Sequence, residues 1–132
     1  MSFSDQLYAF QKEAIAKTGA DAKKITATLF GAIINDSPVL TGAFKGDWKA
    51  SQNAPITTSS GRLDPSGVST LAEMKMVVGG LPNTRDWTCY LSNNKIYGPP
   101  IEYLQHSMKA PYGVVRINLS KITQHIRTAL HG

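Results

Sequence analysis

Cysteine is nearly absent: Cys89 is the only one in 132 residues. One thiol builds no internal disulfide, and alone it cannot make a structural zinc site. It sits between Trp87 and Tyr90 in an alternating stretch, so a buried, inert thiol is expected. Charge is also sparse, at 17% of residues, beside 42% apolar residues. No apolar run is long enough to span a membrane; Leu29 to Ile34 is the longest candidate and contains Gly31. The first residues, Met-Ser-Phe-Ser-Asp-Gln, lack the basic and apolar regions of a secretory signal. The expectation is a chain that matures in a reducing compartment, where Asn35-Asp36-Ser37 and Asn118-Leu119-Ser120 are not glycosylation sites.

Catalytic patterns are missing too. No Ser stands in a Gly-x-Ser-x-Gly elbow. His106, His125 and His131 are the only imidazoles, and no His-x-x-x-His or Asp-x-Asp pair occurs. His125 and His131 are read as solvated residues of a helix rim and the terminus. Gly42-Ala43-Phe44-Lys45-Gly46-Asp47 lacks the Gly-Lys-Ser/Thr end of a phosphate loop. No metal and no cofactor is expected. The net charge is +5 and the pI about 9.4, with Lys and Arg scattered and no run longer than Lys23-Lys24. Such a balance suits solubility or proximity to an anionic partner such as DNA.

What is present describes one domain over 1–132. Phe3, Leu7, Phe10 and Ala14 predict a helix over Phe3 to Lys17. Ala22, Ile25, Leu29 and Ile33, with Phe30 and Ile34, predict another from Asp21 to about Asn35. Gly19 either kinks one long helix or separates two. Asp36-Ser37-Pro38 stops it. A short turn holding Phe44 and Trp48 leads into a strand over about Asp47 to Thr58. Ser59 to Gly67 is a small, polar loop, expected to be the most mobile segment. Ser69 is placed to cap a helix over Thr70 to Val78, which carries Leu71, Met74 and Val78 on one side and ends at Gly79-Gly80. Trp87, Cys89 and Leu91 alternate in a strand over Asp86 to Ser92, and Asn93-Asn94 turns the chain. Val115, Leu119, Ile122, Ile126 and Leu130 give a final helix that Pro111 opens. The class is α+β: a small antiparallel or mixed sheet against a long N-terminal helix or helix pair and a C-terminal helix.

The stretch Leu91 to Arg116 organises the chain. It reads as a docking surface. Tyr97, Tyr103 and Tyr112 are either core residues or interface anchors. Glu102 is either a solvated carboxylate or the cap or ion pair that fixes the segment.

Two blocks resemble a known family. Ser37-Pro38-Val39-Leu40-Thr41-Gly42-Ala43-Phe44-Lys45-Gly46-Asp47-Trp48 is similar to the Ser/Thr-Pro-Val-Asp-Thr-Gly-x-Leu-x-x-Ser-Trp segment of phage neck and tail-completion proteins. Asn93-Asn94, Tyr97, Ile101-Glu102-Tyr103 and Ala110-Pro111-Tyr112-Gly113-Val114-Val115-Arg116 follow that family's second block in order. Leu40 departs from its Asp, and Leu104 from its Gly.

The resemblance implies a non-enzymatic virion protein, assembled in the host cytoplasm. It would form a homo-oligomeric ring, six-fold or twelve-fold, at the head–tail junction or the top of the tail. Its neighbours would be head-completion or adaptor proteins and tail-terminator or tail-tube proteins. DNA would pass through the channel, and no membrane would be involved. Glu102, Tyr103, Gln105, His106, Ser107, Met108, Lys109 and Tyr112, with Arg62 and Leu63, are the expected interface. The rival readings are a small hydrolase using His106 and a basic accessory protein that binds DNA non-specifically.

Overall fold

The computed structural model describes residues 9–10, 19–39, 41–84, 86–95 and 113–131. Its architecture is α+β. Helix α1 (Gly19–Asp36) is the centre of the molecule, with buried residues on two adjoining stripes: Ala22, Ile25, Leu29 and Ile33, then Thr26, Phe30 and Ile34. A helix buried on that much of its circumference needs neighbours on two sides. Helix α3 (Val68–Gly79) packs along one side, and α4 (Val115–Ser120) with α5 (Ile122–His131) along the other. Gly19 opens α1 within the described residues, so whether it kinks a longer helix lies outside them. A Cβ there would stand 2.2 Å from the carbonyl carbon of Asn83, so only glycine permits this approach.

The predicted stop at Pro38 is seen. Ser37 folds back on the end of α1, its N–H on Ile34 O and its hydroxyl on Ile33 O. The next elements are a single helical turn, α2 (Ala43–Gly46), and the strand β2 (Lys49–Gln52). That strand is shorter than the expected Asp47 to Thr58. Asn53 takes a left-handed φ of 75°, and Ser51 Oγ donates to Ala54 O, which turns the chain out of the sheet.

The sheet is small and antiparallel, in the order β1-β3-β2, with β3 (Cys89–Ser92) in the middle. Ala50 faces Leu91 and Ser51 faces Tyr90 across β2 and β3. The predicted alternation holds: Trp87, Cys89 and Leu91 are buried, and Thr88 and Tyr90 are half-exposed. The other edge of β3 pairs with β1, the dipeptide Ala9–Phe10. This corrects the helix expected over Phe3 to Lys17 at those two residues. An open strand edge carries unpaired N–H and C=O groups, and pairing there outweighs the local helical spacing. The remainder of that expected helix lies outside the described residues.

The final helix is broken rather than continuous. Lys121, with φ −101° and ψ 19°, separates α4 from α5. Asn118 Nδ2 donates to Val114 O at 2.7 Å, and Ser120 Oγ to Ile117 O at 2.6 Å. Side chains that bond the preceding turn weaken and bend helices in this way. The predicted apolar stripe is otherwise seen: Val115 is buried, and Leu119, Ile122, Ile126 and Leu130 pack half-buried against the core. Trp48, Phe30, Ile25 and Leu29 are the largest side chains at its centre. No helix among the described residues is long and apolar enough to cross a membrane.

Candidate interaction surface

The Ser37 to Trp48 block folds into a closed corner. Trp48 Nε1 donates to Ser37 Oγ at 2.7 Å, joining the end of α1 to the start of β2. Phe44 meets Trp48 edge to face, with ring centroids 5.7 Å apart. Gly42 has a φ of +88°, and a Cβ on it would lie 2.4 Å from Pro65 N. Lys45 lays its stem over Gly67 and donates to Asn35 O at 3.3 Å, placing a cation at the C-terminus of α1.

Asp47 is the node of this corner. It is 1% exposed. One carboxylate oxygen accepts from Ser59 Oγ at 2.8 Å and from the Ser60 N–H at 2.7 Å. The other accepts from the Asn94 N–H at 2.6 Å. Asn93 Nδ2 donates to Phe44 O at 2.7 Å, and Asn94 Nδ2 to Ile56 O at 2.9 Å. So Asn93-Asn94 does more than turn the chain: it binds the strand end to α2 and to the loop.

Arg62 sits in that loop. It does not reach outward as an interface residue. Its Nε donates to Gly46 O, one Nη to Trp48 O and the other to Glu73 at 2.8 Å. The loop Ser59 to Gly67, expected to be mobile, is therefore fastened at Ser59, Ser60 and Arg62. Asp64 fastens it again, and it takes the capping role expected of Ser69. Its carboxylate accepts from the Thr70 N–H and hydroxyl, at 2.8 and 2.7 Å, and so satisfies the first turn of α3. Burial pushes the Asp64 carboxyl up. The Thr70 hydroxyl, the Thr70 and Gly67 amides and Arg62 together outweigh it and hold the group below its ordinary value.

These fixed contacts leave an apolar surface outside. Leu63 is 65% exposed, Val68 67% and Met76 78%. Val68, Ala72 and Met76 step by four along α3, on the side away from buried Met74 and Val78, and all three are exposed. The signal was in the sequence. Val68, Ala72 and Met76 keep the same helical spacing as the Leu71, Met74 and Val78 side, so the helix is apolar on two sides.

His125 is half-buried rather than solvated. Asn118 spends its amide N–H groups on Asp36 Oδ2 and Val114 O, so its Oδ1 accepts from His125 Nε2 at 3.0 Å. Burial lowers the imidazole pKa, Asp36 opposes the shift, and Lys121 adds to it. His131 is exposed. Among the described residues no group of three His, Cys, Asp or Glu could hold a metal, and Cys89 is a buried thiol outside any disulfide. Of the expected interface, Leu63 is exposed and Arg62 is engaged internally. Glu102, Tyr103, Gln105, His106, Ser107, Met108, Lys109 and Tyr112 lie outside the described residues, as does Tyr97. The final helix does not open at Pro111 as expected: Gly113, at a φ of 79°, and Val114 are not helical, and α4 begins at Val115.

The arrangement fixes a loop and presents an apolar helix face. Comparison with protein-family models, with curated proteins and with solved structures gives no match.

Proposed function

We propose that the chain is a structural, non-enzymatic subunit of a tailed-bacteriophage virion. It forms a homo-oligomeric ring at the neck or the top of the tail and helps to complete the tail or its attachment. One observation supports this reading above the others. The two blocks that resemble neck and tail-completion proteins are separated by more than forty residues in sequence, yet they meet in one corner. Asn93 bonds the Phe44 carbonyl and Asn94 bonds the Asp47 carboxylate. Motifs that share a structural task give a reason for their residue types: the small Gly42, the Trp48 donor with its Ser37 acceptor, and the paired asparagines.

The exposed stripe on α3 supplies a second support. A ring subunit needs two different patches that meet around an axis. Leu63, Val68, Ala72 and Met76 offer one of them beside a rigid loop. Full burial of an apolar side chain of this size stabilises by about 1.5–3 kcal/mol, so a few such contacts per subunit carry appreciable assembly energy. The stretch 101–112 is the reading's second patch.

The test uses two variants in the virion. V68E/M76E places charge on the α3 stripe, and deletion of Gln105 to Lys109 shortens the loop of the second patch. Both are expected to give folded subunits that fail to enter particles. Normal incorporation of both would refute this assignment of the interface.

A further inference from the structure

The basic residues are not evenly spread. Residues 103–132 hold four of the fourteen Lys and Arg and none of the nine Asp and Glu, so nearly the whole excess of positive charge lies in the last quarter of the chain. The structure puts three of those four cations on one surface. Arg116, Ser120, Thr123, Arg127 and His131 step by four, three, four and four along α4 and α5, and every one is exposed. Lys121, at the junction of the two helices, is exposed as well. Gln124 and Thr128 complete the outer face, while Leu119, Ile122, Ile126 and Leu130 turn inward to the core.

We propose that the outer face of α4 and α5 is a contact surface for the phosphate backbone of double-stranded DNA. This deepens the ring reading and rests on it, since it names the face that would line the channel. The chemistry of the face favours this partner. Cations alternate with hydroxyl and amide side chains, which is the donor set used for phosphate oxygens. The face presents no exposed aromatic on which single-stranded bases could stack. It also lacks the exposed apolar anchors that a protein hot spot or a lipid surface requires. The two helices run for roughly 25 Å at 1.5 Å per residue, long enough to follow several phosphates. Contacts of this kind carry no base readout, so binding is independent of sequence and falls with salt.

The experiment measures binding of the full chain to a labelled mixed-sequence 30-base-pair duplex across a salt series. Each phosphate contact contributes about −0.9 to the slope of log K against log salt, so three contacts weaken binding about 40-fold between 50 and 200 mM salt. R116Q/K121Q/R127Q is expected to flatten that slope by between two and three units. R116K/R127K, which preserves charge, is expected to bind like the parent. K49Q/K75Q/K95Q removes as many cations from other parts of the fold and is expected to keep the parent slope. A control variant that loses as much as R116Q/K121Q/R127Q, or polyglutamate competing as well as duplex, would overturn the proposal. Native mass spectrometry of the same samples separates the two claims. A ring that holds no duplex overturns this inference and leaves the ring reading standing. Duplex held by a chain that never oligomerises supports the cationic face and counts against the ring.

Discussion

Removing the Asp47 carboxylate should damage the fold far more than a single acidic residue usually does. The buried carboxylate satisfies two backbone N–H groups, those of Ser60 and Asn94, and the Ser59 hydroxyl. Asp47→Ala leaves these donors without their acceptor at part-buried bonds, beside a residue that is itself 1% exposed. A hydrogen bond to a charged acceptor contributes about 1.5–3 kcal/mol, and a stranded buried donor costs about 1–3 kcal/mol. Water entering the vacated space recovers part of that. A net loss of about 3–4 kcal/mol follows, out of the 5–15 kcal/mol typical of a domain. Urea titration followed by the fluorescence of Trp48 and Trp87 reads the change. With an m-value near 2 kcal/mol/M, the midpoint should fall by about 1.5–2 M. Asp47→Asn tests the geometry separately. Its amide must turn an N–H toward one of the backbone donors, so it should recover less than half of the loss. Limited trypsin digestion should then cut at Arg62 faster than in the parent, where Gly46, Trp48 and Glu73 hold its side chain. A midpoint shift below about 0.3 M for Asp47→Ala would refute the reasoning.

Three further substitutions probe the frame. Gly42→Ala forces a side chain into a left-handed position against Pro65, and should cost at least about 2 kcal/mol by the same titration. Lys23 donates to Gly79 O and Leu81 O at 2.9 Å and to Asn83 Oδ1, so its ammonium closes the C-terminus of α3. Lys23→Met should cost about 1–2 kcal/mol and speed hydrogen exchange in the last turn of that helix. The His125 pKa is lowered in the fold, so the unfolded chain takes up the proton first as pH falls. Stability from this group is complete above the ordinary imidazole value of about 6.5 and is lost as pH drops through the lower folded value. Melting temperatures measured from pH 7.5 to 5 should fall for the parent, and His125→Gln should remove part of that slope. Asp64, also lowered, acts in a more acidic window: its stabilisation is complete above the ordinary carboxylate value and is lost below it.

The elements easiest to read were those whose stripes face the core. Ala22, Ile25, Leu29 and Ile33 marked α1, and Trp87, Cys89 and Leu91 marked β3, because burial imposes a period on the sequence. Polar bonds between distant residues impose none. Nothing in the spacing links Asp47 to Asn94 or Asp64 to Thr70, and so the loop they hold reads as mobile in the sequence. Ala9–Phe10 failed for a related reason: strand pairing is a tertiary event, and the local spacing favoured a helix. The break at Lys121 was hidden because Leu119 and Ile122 keep the helical step across it, while the cause lies in the Asn118 and Ser120 side chains. The α3 stripe of Val68, Ala72 and Met76 and the acid-free C-terminal helices were both visible as patterns. Each needed the fold to show that its residues face outward.

The central claim is that this chain completes the joint between head and tail. A stop codon early in its gene, followed by electron microscopy of the lysate, tests it most directly. The expected result is filled heads beside finished, unattached tails, or tails of abnormal length if the ring terminates the tail. Complete, infectious particles made without the protein would contradict the account.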